Sequence, residues 1–163
     1  MGTAYGVESD PLVFEIPELE QLLFTHDDFI KKKDAIYIYT TYEAAYEAKK
    51  LLEEADLFEN LHPLIVLNDG KQGENFFDFG FKTQNTVFLY KEMIIAFSID
   101  GEDFQNKEMA KLQLEEHLVY STAINSNEVF FVESNLRSLI VGILKAYQCK
   151  ASFLDLDKWK KKL

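Results

Sequence analysis

A chain of 163 residues has room for one ordinary domain, and its 47% hydrophobic and 14% aromatic content supports a packed core without disulfides. Twenty-eight acidic residues against 17 basic ones leave a net charge of −11, which excludes the broad basic footprint of general nucleic-acid binding. So many aromatic and branched residues also exclude wholesale disorder.

Residues 1–16 read as a lead-in, with a short edge strand at 13–16. Pro17 suits the first position of a helix, where its missing N–H is not needed. Leu19, Leu22 and Leu23 supply the apolar face of that helix. It is expected to run to Asp34, because the charge of Lys31, Lys32 and Lys33 complements the negative end of a helix dipole. Residues 35–39 read as a strand, with Ile36 and Ile38 on one side and Tyr37 and Tyr39 on the other. Thr40 and Glu43 fit a capping box. Ala44, Ala48, Leu51, Leu52 and Ala55 form a helical stripe behind it. His62-Pro63 is expected to break the chain before an apolar strand at 64–67. Strand, helix and strand predict a βαβ unit with parallel strands.

The middle of the chain reads differently. Asn68-Asp69-Gly70 and Gln72-Gly73 are turn sequences. Phe77, Phe79 and Phe81 alternate with Asp78, Gly80 and Lys82, the pattern of a strand with one wet face. Residues 86–90 and 93–99 flank Lys91-Glu92 and predict a hairpin. Asp103 is placed to cap a helix over 105–120. An apolar strand follows at 129–132. Ser134 or Asn135 then caps a helix with Leu136, Leu139, Ile140, Ile143, Leu144 and Tyr147 on one broad face. A strand at 151–154 completes a second βαβ unit. The expected fold is α/β (or α+β): a mixed sheet with two βαβ units around an antiparallel hairpin region, helices packed on the sheet, in one domain over 1–163 ending in a basic tail at 156–163. No internal repeat is visible in the sequence.

Cys149 is the single cysteine, so no intramolecular disulfide forms. It reads as a small apolar residue at a helix end. Residues 1–12 carry neither a basic n-region nor an apolar h-region, no apolar run approaches 18 residues, and no Asn-x-Ser/Thr site occurs. The expectation is a cytoplasmic protein with no membrane span.

No motif names a reaction. GxGxxG, GxxxxGK[ST] and GxSxG are all absent, and His26, His62 and His117 do not fit the zinc-protease spacing. Asp100, Glu102 and Asp103 lack EF-hand spacing and are explained by a turn and a helix cap. No cofactor, metal or catalytic residue is therefore assigned.

Three surfaces compete. Residues 1–60 hold 14 acids against 5 lysines, while 61–163 hold 14 acids against 12 bases. Asp27, Asp28, Glu47, Glu53, Glu54, Asp56 and Glu59 thus make a candidate acidic face for a basic protein partner, as in a toxin-neutralising immunity protein or a phage-type anti-defence inhibitor that mimics DNA. The carboxyl ends of the expected parallel strands instead select Thr40, Thr41, Asn68, Asp69, Lys71, Ser134, Asn135 and Arg137 as ligand contacts of a small enzyme or binding domain. A Phe-rich strand at 76–81 offers an edge for an oligomerising module or homodimer.

Overall fold

Strand β1 (Gly2–Ser9) alternates Gly2, Ala4 and Gly6 with Thr3, Tyr5 and Val7 in the computed structural model, which describes residues 1–159. Of the expected basic tail, Lys160, Lys161 and Lys162 lie outside the described residues. The small residues of β1 give no hydrophobic signal, which is why the segment reads as a lead-in. Their smallness has a packing reason. A Cβ on Gly6 would stand 2.9 Å from the Ile36 side chain and 3.2 Å from that of Leu64, so side chains of both neighbouring strands close over it.

Contacts divide the chain into two compact units, residues 2–66 and residues 67–159 with Met1. The first unit continues with α1 (Pro17–Phe24), β2 (Phe29–Lys33), β3 (Ile36–Tyr39), α2 (Tyr42–Glu54) and β4 (Phe58–Asn68). α1 is half the expected length. Lys31, Lys32 and Lys33 do not end a helix but lie in β2, where lysines suit the outer strand of a sheet. The cap of α2 is also displaced by one residue: the Thr41 hydroxyl, not that of Thr40, accepts from the Ala44 N–H at 3.3 Å. Pro63 does not break the chain. It sits inside β4 opposite Tyr5.

Every ladder in this unit is antiparallel. β3 pairs with β1 and β2, and β1 also pairs with β4. The strand order is therefore β4-β1-β3-β2. The expected βαβ unit is corrected here: β3 and β4 run the same way but are not neighbours, because β1 lies between them. A strand more than 25 residues upstream of β3 fills the gap, and no local pattern reveals that. Val7, Val13, Leu23, Tyr37, Tyr39, Ala44, Ala45, Ala48, Leu52 and Leu57 form the core between the helices and one sheet face.

The second unit begins with β5 (Lys71–Gln72), α3 (Phe76–Phe79), β6 (Gly80–Thr83) and β7 (Thr86–Tyr90). The Phe-rich stretch is not a continuous strand. Phe76 is buried in the short helix α3 while Phe77 points to solvent. The hairpin is formed by β6 and β7 across Gln84 and Asn85, not across Lys91-Glu92. There follow β8 (Ile94–Asp100), α4 (Phe104–Leu114), β9 (Leu118–Ile124), β10 (Asn127–Glu133), α5 (Arg137–Ala146) and β11 (Lys150–Leu154). Asp103 caps α4 as expected, accepting from the Asn106 N–H at 2.9 Å. α4 stops at Leu114, and residues expected to prolong it form β9. Neither Ser134 nor Asn135 is the N-cap of α5, which Leu136 occupies without a side-chain bond.

The sheet order is β11-β8-β10-β9-β5, again with antiparallel ladders. β10 and β11 run the same way with β8 between them, so the second βαβ is corrected for the same reason. Phe97, Ala110, Leu114, Phe130, Val132, Ile140, Leu144 and Cys149 form the core.

The two units thus share one plan. β1-α1-β2-β3-α2-β4 and β8-α4-β9-β10-α5-β11 are both βαββαβ, each with its fourth, first, third and second strands side by side, the split βαβ arrangement. The detail of one connection repeats too. In Ala55-Asp56-Leu57 and Tyr147-Gln148-Cys149 the middle residue has a φ of 57°. The third donates its N–H five residues back, Leu57 to Leu52 and Cys149 to Leu144, both at 2.8 Å. The middle residue donates three residues back, to Glu53 and to Lys145. These are two Schellman motifs, each closed by an apolar contact in its own core. Cys149 is that buried contact.

Candidate functional site

The exposed side of α2 has two flanks. At 3.6 residues per turn, Glu43, Glu47 and Glu54 fall within about 40° of one another. Tyr42, Tyr46, Lys49 and Glu53 fall on the other side of the exposed arc, and Lys50 falls between the two, about 20° from Glu43. Contacts confirm the division. Tyr42 stacks with Tyr46 and meets Tyr5 edge-on, with centroids 6.0 and 5.7 Å apart. Lys49 lies 5.1 Å over the Phe58 ring, Lys50 lies 4.7 Å over that of Tyr46, and Lys49 meets Glu53 at 3.5 Å.

The acidic flank faces the loop between α1 and β2. His26 Nε2 lies 3.2 Å from Glu47. The Thr41 hydroxyl donates to Asp28 at 2.8 Å, and the Thr40 N–H donates to the Asp28 carbonyl at 2.9 Å. The cap of α2 therefore holds Asp28 at the helix start, beside the turn that carries Glu43. A carboxylate is favoured there by the positive end of the helix dipole. Glu54 continues the flank about 10 Å further along the helix.

Of the seven acids expected to act together, Glu47 and Glu54 lie on this flank, Asp28 is tied to its start through Thr41, and Asp27 is exposed in the preceding loop. Glu53 lies on the aromatic side. Asp56 is the left-handed residue of the Schellman link, and Glu59 is exposed near the start of β4. Glu43 was not among the expected contacts. Its i, i+4 spacing to Glu47 is the signal that finds it.

A second cluster of charge nearby is spent internally. The Lys32 ammonium and the buried Tyr37 hydroxyl both donate to Glu20, at 2.5 and 2.8 Å. Lys32, with Tyr37 assisting, holds the Glu20 carboxyl below its usual range. The Tyr39 hydroxyl donates to the Leu23 carbonyl at 2.7 Å, and burial raises its phenol.

The candidate ligand loops are largely engaged in the fold. Thr40 and Thr41 serve the α2 cap. In the second unit, the carbonyls of Asn68 and Asp69 accept from the Thr122 hydroxyl. Lys71 meets Glu115 at 2.7 Å and lowers its carboxyl. The Arg137 guanidinium lies 3.9 Å over the Phe153 ring. That ring follows Phe97 and Phe130 across three strands. Ser134 and Asn135 lie in a 3-10 turn. The 68–71 loop lies beside Thr122, which pairs with Val129, whereas Ser134 follows Glu133 at the other end of β10. The two loops are not brought together.

The second unit also carries a groove of about 550 Å³, with Met109 and Leu112 exposed along it, Leu118 half-buried in its wall, and Glu74 and Glu116 among its polar lining. Among the described residues no group of His, Cys, Asp and Glu is arranged to hold a metal, and no helix is long and apolar enough to cross a membrane. No family model, no curated protein and no solved structure matches this chain.

Proposed function

We propose that this chain is a protein-binding module whose α2 flank engages a basic partner, the role played by a toxin-neutralising immunity protein or by an anti-defence protein that mimics DNA. The observation that supports it is the alignment of Glu43, Glu47 and Glu54 with Asp28 tied to the helix start beside them, while Lys49 and Lys50 lean over aromatic rings. Spacings along the flank are comparable to the Debye length of about 8 Å at physiological salt, so neighbouring charges add rather than screen one another. Such a field speeds the encounter with a positive surface.

The test is affinity capture from the native host with two baits, the unaltered chain and Glu43→Lys/Glu47→Lys. A basic protein retained by the first, lost from the second and released by salt is the expected result. No basic protein retained, or retention indifferent to both salt and charge reversal, would refute the reading.

A further inference from the structure

The second unit holds a polar hollow of about 200 Å³ lined by Asp69, Gly70, Gln72, Lys82, Asn85, Val87 and Tyr120. Its construction is specific. Asp69 has a φ of 31°, in the left-handed region where a non-glycine residue is strained, and the Thr122 hydroxyl pins its carbonyl. Gly70 follows, where a Cβ would lie 2.4 Å from the Ser121 carbonyl oxygen and 2.5 Å from the Tyr120 hydroxyl. The backbone is thus pressed onto β9 at the wall of the hollow.

One feature is unusual, and a second sets the charge of the hollow. Tyr120 is 1% exposed, and its hydroxyl, which keeps a small opening at the hollow, has no hydrogen-bonding partner among the described residues. A buried phenol ordinarily finds one. Asp69 and Lys82, both exposed, carry opposite charges and line the same small hollow, and among the described residues neither makes an ion pair with the other or with any other group. Burial and the Asp69 charge together raise the Tyr120 phenol, so it stays a neutral donor.

We infer that this hollow binds a small zwitterion of amino-acid size, with Asp69 meeting the ammonium group, Lys82 the carboxylate, and Tyr120 donating to the ligand. One ligand with both charges satisfies two groups that do not reach each other. A ligand with a single charge leaves one of them unmatched. The side-chain amides of Gln72 and Asn85 supply further donors and acceptors at the mouth. This site is independent of the α2 flank and of any protein partner.

The experiment is isothermal titration of the full chain with glycine, L-serine and L-glutamate, using methylamine and acetate as single-charge controls. At least one amino acid is expected to bind. Asp69→Asn, which keeps a residue tolerant of left-handed φ, and Lys82→Ala should each weaken it by about tenfold or more. Tyr120→Phe should weaken binding while leaving the unliganded chain at least as thermally stable, because it removes a phenol that lacks a partner. Thermal unfolding of each variant checks that it is folded. Three results overturn the inference: no binding by any amino acid up to about 10 mM, corresponding to a free energy too small for a built site; binding unchanged in folded Asp69→Asn and Lys82→Ala; or methylamine or acetate binding as well as the amino acids.

Discussion

Asp56 and Gln148 hold the same station in the two βαββαβ segments: each is the left-handed residue after the second helix of its segment, followed by a buried residue that immediately precedes the last strand. Neither is glycine, although left-handed backbone disfavours any side chain. Gln148→Gly should stabilise the protein by about 0.5–1 kcal/mol, and Asp56→Gly by less, since Asp tolerates this conformation better. Urea unfolding measures both. No gain at Gln148 would mean that its side chain contributes something its exposure does not suggest.

The Glu20 carboxyl makes the first unit sensitive to acid. Its folded pKa lies below the ordinary 4.5, so its contribution is present above that pH and is lost as pH falls through the folded value. Glu20→Gln should remove this part of the pH dependence, flattening the stability profile between about pH 5 and pH 3. The check is denaturant unfolding across that range. An unchanged slope would show that the Lys32 and Tyr37 bonds carry no linkage.

Leu144 and Leu112 should separate cleanly. Leu144 is fully buried beneath α5, and Leu144→Ala should cost about 2–5 kcal/mol through lost burial and the cavity left behind. Leu112 is 66% exposed on α4, and Leu112→Ser should change stability by no more than about 0.5 kcal/mol. Thermal and urea unfolding read the two side by side.

Gly73 allows β5 to lie against β9. Its N–H donates to the Val119 carbonyl at 2.9 Å, and a Cβ there would fall 1.6 Å from the Leu118 carbonyl oxygen. The obstacle is backbone, which has nowhere to swing. Gly73→Ala should therefore cost about 1–3 kcal/mol and detach the 70–73 segment. Faster amide exchange at Gly73 itself would show that detachment.

Elements whose own residues carry the signal were legible. The stripe Ala44, Ala48, Leu52 gave α2, Asp103 marked the start of α4, and the apolar runs gave β10 and β11. Three kinds of element were not. β1 is built from glycine and alanine because neighbouring side chains fill its space. β2 is rich in lysine because an outer strand tolerates charge. β9 follows α4 after a single 3-10 turn, so apolar spacing ran on across the join. The pairing itself was out of reach: the strands that separate β3 from β4 and β10 from β11 are set by contacts far along the chain. That same limit hid the repeated plan, since the two units share topology and link geometry without shared residues. For the acidic face, composition pointed to residues 1–60, but sorting Glu47 and Glu54 from Glu53 required the helix azimuth and its contacts.

The place of β1 and β8 bears on how the protein is made. In each βαββαβ segment the strand that leaves the ribosome first is flanked by the third and the fourth, so Gly6 must wait for His62 and Phe97 for Phe153. Neither sheet can assemble hairpin by hairpin during synthesis, and long loops must close before the central ladder is repaid. The first strand of each βαββαβ segment therefore stays without its final neighbours longest, and completion of each segment is gated by the arrival of its last strand.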